Sequence, residues 1–506
     1  MNDTFFAIFR NSFIKKLIRN KIFQDSLLDV DTERLKENHR FLSLFSEQDK
    51  LENNIYIGLL VDSRQKLIQY YNDPYKYLIN KINILDIKGI EIDFNHFRNI
   101  VVLEFFIGHD SVLVGEIPDS ITDLKFKSNE IYGGHYCDWI LSKLPRNLKK
   151  LSIPERWKMV EKTTCDKTYI LPETLSDLCY IGTYNDYNFV FPKNGHAFKS
   201  FQINIHSLEA LKWVENNTCV SKIFIVNLPD CPAVTCDLIP SHVKDLCIWD
   251  KIPIHGIPDT IDSFHYRDFL DDNLKLPSHL KSLDFLGFAS RETPLLEKDV
   301  FPSSLKDLSI WCYNSPLAKG VLPCNLSILK LEAFNQQLCQ GVLPSTLTSL
   351  SMSDFNQPLE PFVLPPRLTK LYAPSFKNTL SKNSLPSSLT ILDIDEFSGS
   401  FEHVSPLDHL TRLCVGTLNA SVKNILLNVV KIKIHLDIIG PDLDLHDNTS
   451  IQELGIECHQ SVQGIRAECL PANLQIFYTI ALEIRGGTYP YPFKLNPQRN
   501  KTKQKR

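Results

Sequence analysis

Twelve of the chain's 29 prolines stand in one frame, apolar-Pro-x-x-apolar-x-x-apolar. The clearest copies are Leu322-Pro323-Cys324-Asn325-Leu326-Ser327-Ile328-Leu329, Leu343-Pro344-Ser345-Thr346-Leu347-Thr348-Ser349-Leu350 and Leu385-Pro386-Ser387-Ser388-Leu389-Thr390-Ile391-Leu392. About a third of the residues are Leu, Ile, Val or Phe, so chance predicts roughly one such hit, and twelve mark an internal repeat. The apolar core of the frame, Leu-x-x-Leu-x-Ile, continues where proline is lost. Its first residue falls at Ile82, Ile100 and Ile121, runs on through Phe198 and Val220, and ends at Leu474. That makes 19 coils with a mean spacing near 21.8 residues, and the five gaps from Leu305 to Leu410 are all 21.

Alternation of the last two apolar positions is the period of a β-strand and turns both side chains to one face. A strand this short is unstable alone, but one strand per coil, stacked on its neighbours, builds a long parallel sheet. Proline fits at the approach to the strand, where its missing N–H does least harm and its fixed φ keeps the chain extended. The expected fold is a leucine-rich-repeat-like solenoid of about 19 coils of roughly 22 residues with a helical N-terminal cap, curved rather than globular. Residues 1–81 read as the leader, 82–485 as the solenoid and 486–506 as a segment ending in a basic tail. Stretch 182–239, which lacks clear motifs, is expected to continue the same stack.

Composition narrows the class. With 506 residues, 43% hydrophobic and 23% charged, the chain can bury a large core and is neither disordered nor a disulfide miniprotein. A net charge of −4 argues against a dedicated nucleic-acid binder. No apolar run reaches the length of a membrane span, and the N-terminus lacks the basic opening of a secretory signal. Thirteen scattered cysteines with no C-x-x-C pair fit a reducing cytosol. The tail residues Lys494, Arg499, Lys501, Lys503, Lys505 and Arg506 leave nuclear import as a second address.

Motifs for catalysis are missing. The chain has no phosphate-cradling glycine loop, nucleophile elbow, H-E-x-x-H pair or calcium loop. Cys231 with Cys236, and Glu457-Cys458-His459, match no zinc spacing. The expectation is therefore no enzyme, no cofactor, no metal and no small-molecule substrate.

The return segments give a more specific signal. Tyr313-Asn314, Phe334-Asn335, Phe355-Asn356 and Phe376-Lys377-Asn378 place an aromatic eleven residues beyond each frame proline, and Leu317, Leu338, Leu359 and Leu380 fall fifteen beyond. The aromatic is expected to fill the inner coil and pack edge-to-face with its neighbours, and the asparagine to satisfy return-segment backbone from coil to coil. Gly320 and Gly341 share an offset that suits positive φ, but Phe362 at the same offset argues against a strict requirement. This pattern resembles the FNIP repeat, a leucine-rich-repeat relative abundant in social-amoeba proteins, best over residues 302–400. The resemblance implies a scaffold role. The leader, with Phe6, Phe9, Phe13 and Leu17 at helical spacing, also resembles that of the family; capping the first coil, docking a partner and a membrane-surface role stay open for it. Some relatives carry an F-box before the repeats, and residues 1–81 show no such pattern.

Function then rests on surface. Residues seven and nine beyond each frame proline should face solvent across the sheet. Exposed tryptophan and arginine anchor interfaces, which makes Trp249, Arg267, Trp311 and Tyr372 the candidate partner-binding residues. The leading expectation is an intracellular scaffold for an unnamed protein partner. An adaptor in ubiquitin-linked turnover or signalling, recruited through the N-terminal helix, is the alternative.

Overall fold

The computed structural model describes residues 11–495 except 109, 129–132, 154–166, 194, 227, 230, 250, 272–273, 289–295, 417–419, 437–444, 459–462, 481 and 486–493. Phe6, Phe9, His459 and most of the basic tail therefore lie outside the described residues. The chain forms two compact units, Met1–Asp230 and Cys231–Arg506.

In the first unit, parallel strands Leu27–Val30, Tyr56–Val61, Lys81–Ile84, Val102–Ile107, Asp123–Ser128, Lys150–Ser152, Asp177–Gly182, Phe198–Ile205 and Val220–Ile225 pair in sequence order. In the second, thirteen strands among the described residues do the same, from Asp245–Ile248 to Ile476–Ile480 and Lys494–Leu495. Every main-sheet pairing is parallel, which is the stacked-strand solenoid expected from the repeat. Phe198–Ile205 and Val220–Ile225 are ordinary members of it, joined through a register irregularity between Phe198 and Gln202.

The sheet starts ahead of residue 82, because two of its strands, Leu27–Val30 and Tyr56–Val61, lie in the segment read as a leader. The frame at Ile82 is also three residues out. Ile82 pairs with Leu103, the second apolar residue of the next frame, so this coil reads Ile79-x-x-Ile82-x-Ile84, with all three side chains buried.

The repeat is most regular in the second unit. Leu308, Leu329, Leu350, Leu371, Leu392 and Leu413 lie side by side in register, each fully buried. The frame proline opens a tight turn: the N–H of Leu305, Leu326, Leu347 and Leu368 each donates to the carbonyl of the proline three residues back at 3.1 Å. Proline loses nothing there, since its carbonyl rather than its missing N–H closes the turn. The return segments add to the core; in one coil Phe334, Leu338, Val342 and Leu343 are all buried.

The aromatic stack differs from the expected edge-to-face packing. Tyr313, Phe334, Phe355 and Phe376 lie nearly parallel, with interplanar angles of 2°, 4° and 5° and centroids 6.3 Å apart. Identical coils related by translation repeat one rotamer and so keep the ring planes parallel, whereas edge-to-face contact would need alternating rotamers. The asparagine ladder forms as expected. Asn314 Oδ1 accepts the Asn335 N–H at 2.8 Å, Asn335 Oδ1 accepts that of Asn356 at 2.9 Å, and Asn356 Oδ1 accepts that of Lys377 at 2.9 Å.

The positive-φ position proves strict. Gly320 and Gly341 both adopt φ 82°, and Phe362 at 62° and Asn383 at 63° take the same conformation one and two coils later. Phe362 is 63% exposed, so packing does little to offset a left-handed backbone on a side chain with a Cβ.

Two stability outcomes follow. Phe355→Ala should cost about 3–5 kcal/mol, because it removes a fully buried ring from a continuous stack, and Asn356→Ala about 1–2 kcal/mol, because it leaves the Lys377 N–H without its acceptor. Denaturant melts that match the parent would refute both. Phe362→Gly should stabilise by about 1 kcal/mol and raise the melting temperature, while Gly341→Ala lowers it.

Candidate interaction surfaces

On the open face of the second unit's sheet, strand pairing aligns Cys247 with His265, His265 with Asp284 and Asp284 with Ser309. Two residues further along lie Trp249, Arg267, Leu286 and Trp311. Trp249 is 52% exposed and Trp311 40%, and the Arg267 guanidinium lies over both rings, 4.4 Å from one centroid and 5.8 Å from the other. Three of the four candidate residues therefore form one cluster, Trp–Arg–Trp, with the cation held between two aromatic faces.

The fourth does not join them. Tyr372 is half-buried and pairs with Ser351 and Asp393, three strands from Ser309 and so roughly 14 Å along the sheet. The frame offset puts it on the same face but carries no information about distance along the stack.

A polar layer supports the cluster. The Trp311 indole N–H donates to Asp284 Oδ1 at 2.7 Å, fixing the ring. His265 places Nδ1 3.6 Å from Asp284 Oδ2 and Nε2 4.0 Å from Asp245 Oδ1, and Nε2 is also 2.9 Å from Ser263 Oγ. Burial alone would raise the Asp284 carboxyl, but hydrogen bonds from His265, Trp311 and Ser309 outweigh it and hold the group below the usual carboxylate range. Asp307, on the next strand, is pushed up by burial despite Lys330. Asp284 escaped notice in the sequence, where nothing separates it from any other acid at the same frame offset; only the indole shows its role.

Further along the same face, Asp393, Asp395 and Cys414 bring three potential ligand atoms within 4.8 Å of one another. The Cys414 thiol sits 3.1 Å from Asp395 Oδ1. Burial, and then the charge of Asp393, push the thiol upward, so it stays protonated and poorly suited to bind a metal.

The leader supplies a second exposed surface. Helix Ser12–Ile22 begins on Asn11, whose side chain accepts the N–H groups of Phe13 and Ile14. It is fastened to the body by polar contacts. Asp49, buried on helix Glu47–Glu52, receives Lys16 Nζ at 2.9 Å, Asn20 Nδ2 at 2.7 Å and Arg19 Nη2 at 3.3 Å, and the Arg19 guanidinium lies 4.6 Å from the Phe45 ring centroid. Phe13 and Leu17, expected on a face that caps the core, are instead 64% and 53% exposed.

Comparison with known proteins adds to this geometry. The FNIP Repeat pattern matches residues 313–354 and 355–397, which begin and end on the first and last rings of the parallel aromatic run, Tyr313 and Phe397. None of the curated proteins matches the chain. Among solved structures it is similar to CroV588, described as a novel circular LRR protein, at 19% identity and a TM-score of 0.43, over 80% of this chain and 60% of that one. It is also similar to a chain of the mouse RP105/MD-1 complex, at 13% identity and a TM-score of 0.31, over 81% of this chain and 76% of that one. The chain thus spans 60% of the length of the first of these.

Asp49 gives the leader a defined pH response. Burial works against its carboxylate, yet hydrogen bonds from Lys16, Ser46 and Asn20 bring it down to about 2, below the ordinary aspartate value. A depressed carboxyl stabilises the folded form above its unfolded pKa and loses that contribution as the pH falls through its folded one, here about 2 kcal/mol. Hydrogen-exchange protection of Ser12–Ile22 should therefore drop between pH 4 and pH 2. Asp49→Asn should abolish that step.

Proposed function

We propose that the chain is a protein-interaction scaffold of the FNIP-repeat type that binds a partner through the open face of its second sheet. One observation carries this reading: Trp249, Arg267 and Trp311, from three separate coils, form a single exposed stack fixed from below by Asp284. Soluble proteins seldom leave two tryptophans exposed together, and tryptophan and arginine are the residues that most often dominate binding energy. Rigidity adds to the case, because an anchor already held in place loses little entropy on binding. The working compartment on this reading is the reducing cytosol that scattered cysteines with no C-x-x-C pair favour.

The test is a paired Trp249→Ala and Trp311→Ala change. Truncating interface tryptophans costs about 2 kcal/mol each, so partner affinity should fall roughly a thousandfold if the effects add. Affinity capture with mass spectrometry should lose a defined set of proteins, while circular dichroism and the melting temperature stay at parental values, since both rings lie outside the core. Unchanged capture by the folded double variant would place the interface elsewhere.

A further inference from the structure

The leader helix is oriented opposite to a helix that belongs to a core. At 100° per residue, Lys16, Arg19 and Asn20 share the side that faces Asp49, while Phe13, Leu17, Ile18 and Ile22 spread over the other. Those four are 64%, 53%, 42% and 68% exposed. An amphipathic helix ordinarily buries its apolar stripe and shows its polar one to water. Here the buried side is polar, satisfied by one carboxylate, and the apolar side is left outward.

Charge indicates what this face meets. The first 23 residues carry Arg10, Lys15, Lys16, Arg19 and Lys21 against a single acid, Asp3, in a chain whose net charge is −4. Asp49 pairs with both Lys16 and Arg19, whereas Lys15 and Lys21 are exposed and form no ion pair among the described residues. Lys21 also projects between Leu17 and Ile18 around the helix, within the apolar arc. An apolar protein groove would have to bury that ammonium at a large desolvation cost. At a lipid interface the lysine stem lies along the acyl boundary while the charge rises to the phosphates.

We propose that helix Ser12–Ile22 is a docking element for an anionic membrane surface, lying in its plane with the four apolar side chains in the interface and Lys15 and Lys21 among the headgroups. Eleven residues cannot cross a bilayer, and no described helix is long and apolar enough to do so. Apolar insertion and cation–headgroup attraction are each weak alone, and together they give reversible binding. The sheet-face interface is a separate surface, and neither reading depends on the other.

Full-length protein should co-sediment with mixed phosphatidylcholine–phosphatidylserine vesicles, but not with phosphatidylcholine alone, and added salt should release it. Two double variants test the two contributions: Ile18→Asp with Ile22→Asp, and Lys15→Glu with Lys21→Glu. Each should weaken vesicle binding by roughly tenfold or more. Because all four side chains are exposed, melting temperature and circular dichroism should not change. Parent protein that stays in the supernatant with both vesicle types would overturn the proposal, as would variants that sediment like the parent. A lowered melting temperature, or a change in sedimentation velocity without vesicles, would overturn it too, by showing that this chain or a second copy covers the face.

Discussion

Everything regular in this molecule depends on one constraint: each coil must return the chain to a point one strand spacing along the sheet, so that its strand N–H groups meet the carbonyls of its neighbour. Where coils are all 21 residues long, the operation relating them approaches a pure translation, and each side chain meets its own equivalent. The ladders follow from that. Thr348, Thr369, Thr390 and Thr411 each donate a hydroxyl to the carbonyl of the corresponding residue one coil back, at 3.0–3.1 Å. Asparagines meet asparagines, and phenyl rings lie parallel on phenyl rings. The left-handed residue recurs at Gly320, Gly341, Phe362 and Asn383 because the path of the return segment, not the identity of the residue, fixes the backbone there.

A uniform stack also explains why its middle is an unpromising binding site. Between Lys330 and Ser353 the open face carries short polar groups that bond to one another across coils, as Glu332 does with Ser351 and Ser353. Recognition needs a departure from the pattern. The Trp–Arg–Trp cluster sits where coil length varies: frame residues Val243, Ile261, Leu280 and Leu305 are separated by 18, 19 and 25 residues, ahead of the run of 21. Strand Ser263–Leu270 is eight residues long with an irregular register between Tyr266 and Phe269, so the chain there projects side chains that the regular coil would not.

How far the sequence could be read follows from which features are set locally. The frame leucines were legible because burial in a repeating core leaves a periodic trace. The turn prolines and the asparagine ladder were legible for the same reason, each serving the coil directly before or after it. Ile82 was misplaced by three residues because Ile79-x-x-Ile82-x-Ile84 and Ile82-x-x-Leu85-x-Ile87 are two overlapping copies of one pattern, and only pairing with Leu103 separates them. Phe362 misled because glycine preference is a tendency of sequence, whereas the φ it reports is a property of the path. Trp249, Arg267 and Trp311 could be nominated by face, but their convergence over three strand steps, and the exclusion of Tyr372, depend on distances along the sheet that residue types do not encode.

The leader shows the same division most sharply. Its apolar spacing reads as a cap, since the end of a solenoid exposes a core that something must cover. In the folded chain a separate apolar cluster forms within the first coil. Helix Thr32–Leu42, between the first two strands, buries Leu35 and Leu42, and Phe45 follows them into the core. Phe23 and Phe41 meet Phe45 edge-on, closing the cluster from the side. Helix Ser12–Ile22 lies apart from that cluster's apolar contacts on its polar side, where Asp49 holds it by charge. A helix fastened by its polar side keeps its apolar side available, which periodicity alone cannot reveal: an inward and an outward stripe have the same spacing, and the buried carboxylate decides between them.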